Sequence, residues 1–186
     1  MSKENMMDAS VLYISGSPRE GGNTEQLLAL MQDALPGDLL RVMDYDIKPC
    51  RSCWACGEHR CCTVEDDFTQ IIMPRMLAAE AIVIGCPVYF NNVPSQTKAL
   101  IDRTWGYRGS LTNKIAGAVV VGRKYGAEAA IQALHAFYLK HNMIVANRGV
   151  CALGFKYGDV VDDDEAHTAA VGLAKRIQAL IEMLRQ

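Results

Sequence analysis

Val11-Leu-Tyr-Ile-Ser-Gly-Ser-Pro-Arg-Glu-Gly-Gly-Asn-Thr24 is the stretch whose reading decides the architecture. Its first five residues are a short, β-rich, largely apolar run that ends in Gly, Ser and Pro, the signature of a buried strand entering a loop. From Thr24 to Leu35 the apolar residues Leu27, Leu28, Met31 and Leu35 recur at helical spacing, and Pro36-Gly37 closes the segment. Strand, loop and helix therefore follow one another within 27 residues, and the loop empties onto the helix N-terminus.

The same alternation continues. A second strand is expected at Leu39 to Met43 and a third at Ala81 to Cys86. A fourth runs from Lys114 to Gly122 and a fifth from Met143 to Val150. Helices are expected at Phe68 to Glu80, Ser95 to Trp105, Ala127 to His141 and Asp164 to Arg185. Pro74 interrupts the first of these, and Ser95 suits the N-cap of the second. Nearly continuous apolar strands alternating with helices specify an α/β fold with a five-stranded parallel sheet covered on both faces. At 186 residues, without repeats or linkers, residues 1–186 are expected to form a single domain.

Composition removes several function classes. A net charge of −2 supplies no basic field for nucleic acid. No apolar run reaches the roughly 18 to 20 residues that span a bilayer, and Met1 to Asp8 lack a signal-peptide core, so the expected address is cytoplasmic. No Ser/His/Asp or Cys/His constellation stands out. The acids at Asp66-Asp67 and Asp162 to Glu165 are placed to cap the helices that follow them.

In an open α/β sheet, ligands sit beyond the carboxyl ends of the strands where strand order reverses. The loop after the first strand can cradle one phosphate. Its glycines admit close backbone approach, Ser17, Asn23 and Thr24 offer donors, Arg19 offers a charge, and the helix N-terminus favours an anion. It matches neither G-x-x-x-x-G-K-[ST] nor a strict G-x-G-x-x-G, so a monophosphate fits better than a triphosphate or dinucleotide. The loop after the third strand, Pro87-Val-Tyr-Phe-Asn-Asn-Val-Pro94, sets aromatic and amide groups at the same mouth, suited to a flat heterocycle.

Five of seven cysteines crowd one segment, residues 50–62, as Cys50-x2-Cys53-x2-Cys56-x5-Cys62 with Cys61 as a competing fourth ligand. In a reducing compartment such crowding points to metal or redox chemistry rather than disulfides. A [4Fe–4S] cluster, a zinc ion and metal-free thiols all stay open, although zinc sites commonly space two pairs further apart. Cys86 and Cys151 read as small buried hydrophobes. His135, His141 and His167 read as surface or packing residues, while His59 lies inside the cysteine loop.

Taken together, these segments resemble the flavodoxin-like NAD(P)H-dependent FMN reductases, and more narrowly the iron–sulfur flavoproteins among them. The resemblance rests on G-S-P-R-x-x-G-N-T at Gly16 to Thr24, the cysteine loop, P-V-Y-F at Pro87 to Phe90 and K-A-L-I-D-R at Lys98 to Arg103. It implies a three-layer sandwich with strand order 2-1-3-4-5. It implies FMN, its phosphate on Ser17, Arg19, Asn23 and Thr24, and its ring against Pro87, Val88, Tyr89, Phe90, Asn91 and Asn92, with Gly122 and Arg123 as a third loop. The family pattern also implies a [4Fe–4S] cluster on Cys50, Cys53, Cys56 and Cys62 and a homo-dimer or homo-tetramer. NAD(P)H or a redox partner protein would exchange the electrons, with the flavin rather than a protein acid or base doing the chemistry. Without a cluster, the same residues would serve a simple FMN or quinone reductase, and without catalysis an electron carrier or a zinc-stabilised binding module.

Overall fold

The computed structural model describes residues 11–186. β1 (Val11–Ser15) leads into α1 (Asn23–Ala34), β2 (Asp38–Arg41) and a 3-10 turn at Val42–Asp44. A long excursion follows and contains the single-turn α2 (Cys56–His59). Next come a π-helical turn at Phe68–Ile72 with α3 (Met73–Ala78), β3 (Ala81–Pro87), and α4 (Ser95–Arg103) with a 3-10 extension at Thr104–Tyr107. The chain finishes with β4 (Ile115–Gly122), α5 (Ala127–Lys140), β5 (Ile144–Val145), β6 (Val150–Leu153), a 3-10 turn at Asp159–Asp162 and α6 (Asp164–Leu184).

The sheet is parallel throughout, in the order β2-β1-β3-β4-β5, with β6 also pairing β4. Alternate strand residues face opposite layers. Leu12, Ile14, Ile82, Ile84, Ala118 and Val120 pack with Phe68, Met73, Met76, Leu100, Leu134 and Phe137 from the α3, α4 and α5 side. Val11, Tyr13, Val83, Ile115 and Val119 pack with Leu27, Leu28, Met31, Leu173, Ile177 and Ile181 from α1 and α6. Both faces are thus covered, which is why β1, β3 and β4 are buried along almost their whole length.

Four local expectations are corrected. The fifth strand is split, so the sheet counts six strands: Ala116 pairs Val145 and Val119 pairs Val150, leaving surplus residues that bulge out. Gly149, at φ +94°, turns that bulge, and its N–H donates to Asn147 Oδ1 at 2.8 Å. Cys151 is exposed rather than buried, because alternate residues of the edge strand β6 have no covering helix. Pro74 does not break its helix. It sits in the first turn of α3, and the missing N–H is absorbed by the π turn before it. Ser95 does not cap α4; Pro94 holds that position and the Ser95 hydroxyl bonds Gln96 instead. Asp163 caps α6 as expected, accepting from Ala166 N–H at 2.9 Å.

Candidate functional site

Beyond the carboxyl ends of β1, β3, β4 and β6 lies a cavity of about 560 Å³. It is lined by Ser17, Arg19, Asn23 and Thr24 from the first loop, by Pro87, Val88, Tyr89 and Phe90 from the second, and by Gly122 and Arg123 from the third.

Gly22 stands at the N-cap of α1 with no side-chain cap, so the first-turn N–H groups face the cavity unclaimed by the protein, an arrangement suited to an anion. The acid in that turn, Glu25, is buried and turned away. It accepts from Ser15 Oγ at 2.8 Å, Gly21 N–H at 2.7 Å and Arg41 Nε at 2.8 Å. Arg41 offsets its charge, and the Glu25 hydrogen bond holds the Arg41 pKa above its ordinary value. Ser17 Oγ accepts from Arg19 N–H at 3.2 Å and so shapes the loop.

Asn23 does something the sequence did not suggest. Its Nδ2 donates to Lys156 O at 2.8 Å, and its Oδ1 accepts from Gly158 N–H at 2.7 Å. The side chain ties the loop after β6 to the loop after β1. That tied loop adds Gly154, Phe155 and Tyr157 to the cavity wall, and Tyr157 Oη lies over Gly21. These three residues were missed, although Gly154-Phe-Lys-Tyr-Gly158 carries the same signal as the second loop: aromatics between turn residues at the end of a strand.

In the second loop Tyr89 and Asn92 exchange backbone hydrogen bonds of 2.9 and 3.1 Å, closing a tight turn. Phe90 and Asn91 take left-handed φ values of +51° and +60° at its tip. Phe90 is wholly exposed, at 102 %, and Tyr89 is 45 % exposed. Asn91 and Asn92 do not line the cavity: Asn91 packs on Gly126, and the Asn92 carboxamide accepts from Val93 N–H at 2.8 Å. Their part is to bend the loop that carries Tyr89 and Phe90.

A second cavity, of about 630 Å³, is lined by Cys50, Cys53, Cys56 and Cys62 but not by Cys61. Trp54, Ile101, Trp105 and Phe137 supply apolar walls, and His141 is buried as a packing residue against Phe137. All seven cysteines are free thiols. Left-handed φ values at Ser52 (+53°) and Trp54 (+61°) curl the chain between the first cysteines. Gly106 lets the two ends of the loop meet, since a Cβ there would lie 2.8 Å from Cys62 N and 3.0 Å from Cys56 Cβ. Four thiols around one cavity match the donor set of an iron–sulfur cluster. Among the described residues no three His, Cys, Asp or Glu side chains form a ligand group.

Beside this cavity Arg103 and Asp66 form an ion pair with both side chains wholly buried, at 2.6 Å. Burial disfavours the Asp66 carboxylate, but hydrogen bonds from Arg103, Lys48 N–H and Thr69 N–H outweigh it and hold its pKa below the ordinary range. Asp66 thus serves mainly as the partner of Arg103, beyond the helix-capping role expected of it. Along α5 the flavin-side loop precedes Ala127, whereas the cysteine cavity touches Ala133 to Lys140, about 9 to 20 Å further down at 1.5 Å per residue.

Residues 9–158 match the family model of NADPH-dependent FMN reductases. An iron–sulfur flavoprotein of Methanocaldococcus jannaschii is 35 % identical, the alignment covering 95 % of this chain and 99 % of that one. One from Methanosarcina thermophila is 31 % identical over 93 % and 95 %. Among solved structures, a flavodoxin, WrbA-like protein from Agrobacterium tumefaciens superposes with a TM-score of 0.63 at 16 % identity, covering 94 % of this chain and 98 % of that one, which supports the fold. With the loop after β1, the aromatic loop and the cysteine loop matching that pattern, this chain belongs to the NADPH-dependent FMN reductase family, in its iron–sulfur flavoprotein subgroup.

Proposed function

We propose that this flavin-dependent oxidoreductase holds FMN in the cavity above β1, β3 and β4 and exchanges its electrons with a [4Fe–4S] cluster on Cys50, Cys53, Cys56 and Cys62. The observation that carries this reading is the pair of cavities: one opens on an uncapped helix N-terminus and aromatic walls, the other on four thiols. Bound flavin accepts electrons in pairs and releases them singly, which suits it to join a two-electron donor to a one-electron acceptor. The protein's share is positioning. The α1 amides and Arg19 take the phosphate, Pro87 to Phe90 and Gly122 take the ring, and the loop tied by Asn23 closes over the phosphate side.

A nicotinamide or a redox protein supplies or takes the electrons. The whole chain acts as one domain, and its free thiols suit the reducing cytoplasm. We assign a homo-oligomer on one ground: Tyr89, Phe90, Phe155 and Tyr157 form an exposed aromatic rim at the flavin mouth.

The test is an anaerobic absorption spectrum of fresh protein with iron and acid-labile sulfide assayed on the same sample. Flavin bands with about four iron and four sulfide per chain support the reading. The alternative is a reductase that uses flavin alone. Flavin without iron or sulfide after attempted reconstitution would establish it.

A further inference from the structure

The cysteine cavity contains a cation whose hydrogen bonds are fully committed. Arg103 Nε donates to Cys62 Sγ at 3.1 Å. Its Nη1 donates to Lys48 O at 2.7 Å and Asp66 Oδ2 at 2.6 Å, and its Nη2 to Val64 O at 3.0 Å and Asp66 Oδ1 at 3.0 Å. The face of Phe68 lies 4.8 Å from Cζ. A guanidinium carries five N–H donors, and here every one is used.

Four of the five go to groups that fix the guanidinium itself: the bidentate Asp66 carboxylate and two carbonyls on either side of the cysteine loop. The fifth is left for a sulfur, and it reaches Cys62 rather than the adjacent Cys61. The cavity makes the same choice, since Cys62 lines it and Cys61 does not. Two neighbouring cysteines are equivalent in sequence spacing to within one residue, yet only one has its sulfur held by a buried, immobilised donor.

The geometry points to Arg103 as a positioning residue that designates Cys62 as the fourth cluster ligand and sets the cluster's reduction potential through its Nε–H···Sγ bond. The inference rests on the cluster reading above. Hydrogen bonds to ligand sulfurs and nearby positive charge stabilise the more negative, reduced form of a cluster. Arg103 therefore makes the cluster easier to reduce by one electron. Asp66 is part of the device: it holds the guanidinium in the plane that points Nε at the sulfur, and it balances the charge, so that the pair enters the interior as a neutral unit.

The first test compares Cys61→Ser with Cys62→Ser after anaerobic reconstitution with ferrous iron and sulfide, reading iron and sulfide per bound flavin. Cys61→Ser should load as the wild type does, and Cys62→Ser should lose most of its iron, by several-fold. The reverse outcome, or two variants that behave alike beside a loading wild type, overturns the inference and the place of Cys62 in the ligand set proposed above, while a cluster on this loop still stands. A wild type that takes up neither iron nor sulfide overturns the cluster reading and this inference with it. The second test is a mediated dithionite titration of the loaded protein. Arg103→Met combined with Asp66→Asn removes the donor without leaving a lone buried charge, and should shift the cluster midpoint to a more negative potential. Arg103→Lys, which keeps the charge, should recover part of the shift. A midpoint equal to that of the wild type in the double variant refutes the tuning. If neither Arg103 variant folds, judged by retained FMN, the cysteine pair still decides the ligand assignment.

Discussion

Replacing Asn23 with alanine tests how the flavin cavity is closed. The side chain makes two hydrogen bonds, to Lys156 O and from Gly158 N–H, and they join α1 to the loop that carries Gly154, Phe155 and Tyr157. Each bond has a net worth near 1 kcal/mol, and water replaces part of it at this half-exposed place, so about 1 to 2 kcal/mol of loop closure is at stake. If FMN binds the closed arrangement, the apparent dissociation constant rises by the fraction of closed loop lost, about 5- to 30-fold, since 1.4 kcal/mol is tenfold. The assay is quenching of FMN fluorescence on titration with flavin-free protein, with riboflavin run in parallel. Asn23→Asp adds a contrast. It keeps an acceptor for Gly158 N–H but sets a carboxylate at the helix end that receives the phosphate, so it should weaken FMN more than riboflavin. An Asn23→Ala protein that binds FMN within about twofold of the wild type would refute the argument that this tie shapes the site.

Asp66→Asn strips the buried pair of one charge and should cost about 3 to 5 kcal/mol in urea unfolding. Because the folded carboxyl ionises below the ordinary range, its contribution is complete above about pH 4 and disappears as pH falls through the folded value; the variant should show a correspondingly flatter acid branch in its unfolding profile. Gly16→Ala puts a Cβ onto Thr97 Oγ1 and 3.2 Å from Cys86 Cβ, so it should lower both stability and flavin content, with Thr97→Ala in the same chain restoring part of the loss. Gly106→Ala crowds the backbone of Cys61 and Cys62 and should reduce reconstituted iron while FMN binding stays intact. Burial pushes the Cys86 thiol up to about 12, so its stabilising effect holds below about pH 8.5 and fades as pH climbs towards 12. Mass-spectrometric mapping of alkylation of metal-free protein at pH 8 should find Cys50 and Cys53 modified and Cys86 untouched until denaturant is added.

Where one physical cause dominates, the sequence was enough. Double burial makes the runs at Val11, Ala81 and Ile115 continuously apolar, so their strand character and parallel pairing could be read directly, and with them the position of the cavity. The split last strand could not be read that way. Its break depends on Gly149 and Asn147 meeting a β4 register that is set from far away in the chain. Ten of the twelve expected flavin-site residues line the cavity, because strand-end loops converge there whatever their side chains do. Asn91 and Asn92 lie in the tight turn beside that wall, since residues that suit a ligand also suit a tight turn. Arg103 was visible only as part of a motif. Its role depends on Asp66, Lys48 and Val64, which lie 37 to 55 positions away, and no spacing rule links them.

The excursion between β2 and the π turn supplies no strand to the sheet. Among its residues, the 50–62 segment has one short helix, mostly exposed side chains and few bonds outside itself. A segment of this kind opens and closes as its own cooperative unit, with a local free energy well below that of the sheet. Amide exchange in residues 50–62 should therefore be fast in metal-free protein and slow after loading, while the amides of β1, β3 and β4 change little. It follows that oxygen damage to a cluster would erase the loop's order and leave the flavin domain standing, so that protein handled in air would pass for a complete flavoprotein.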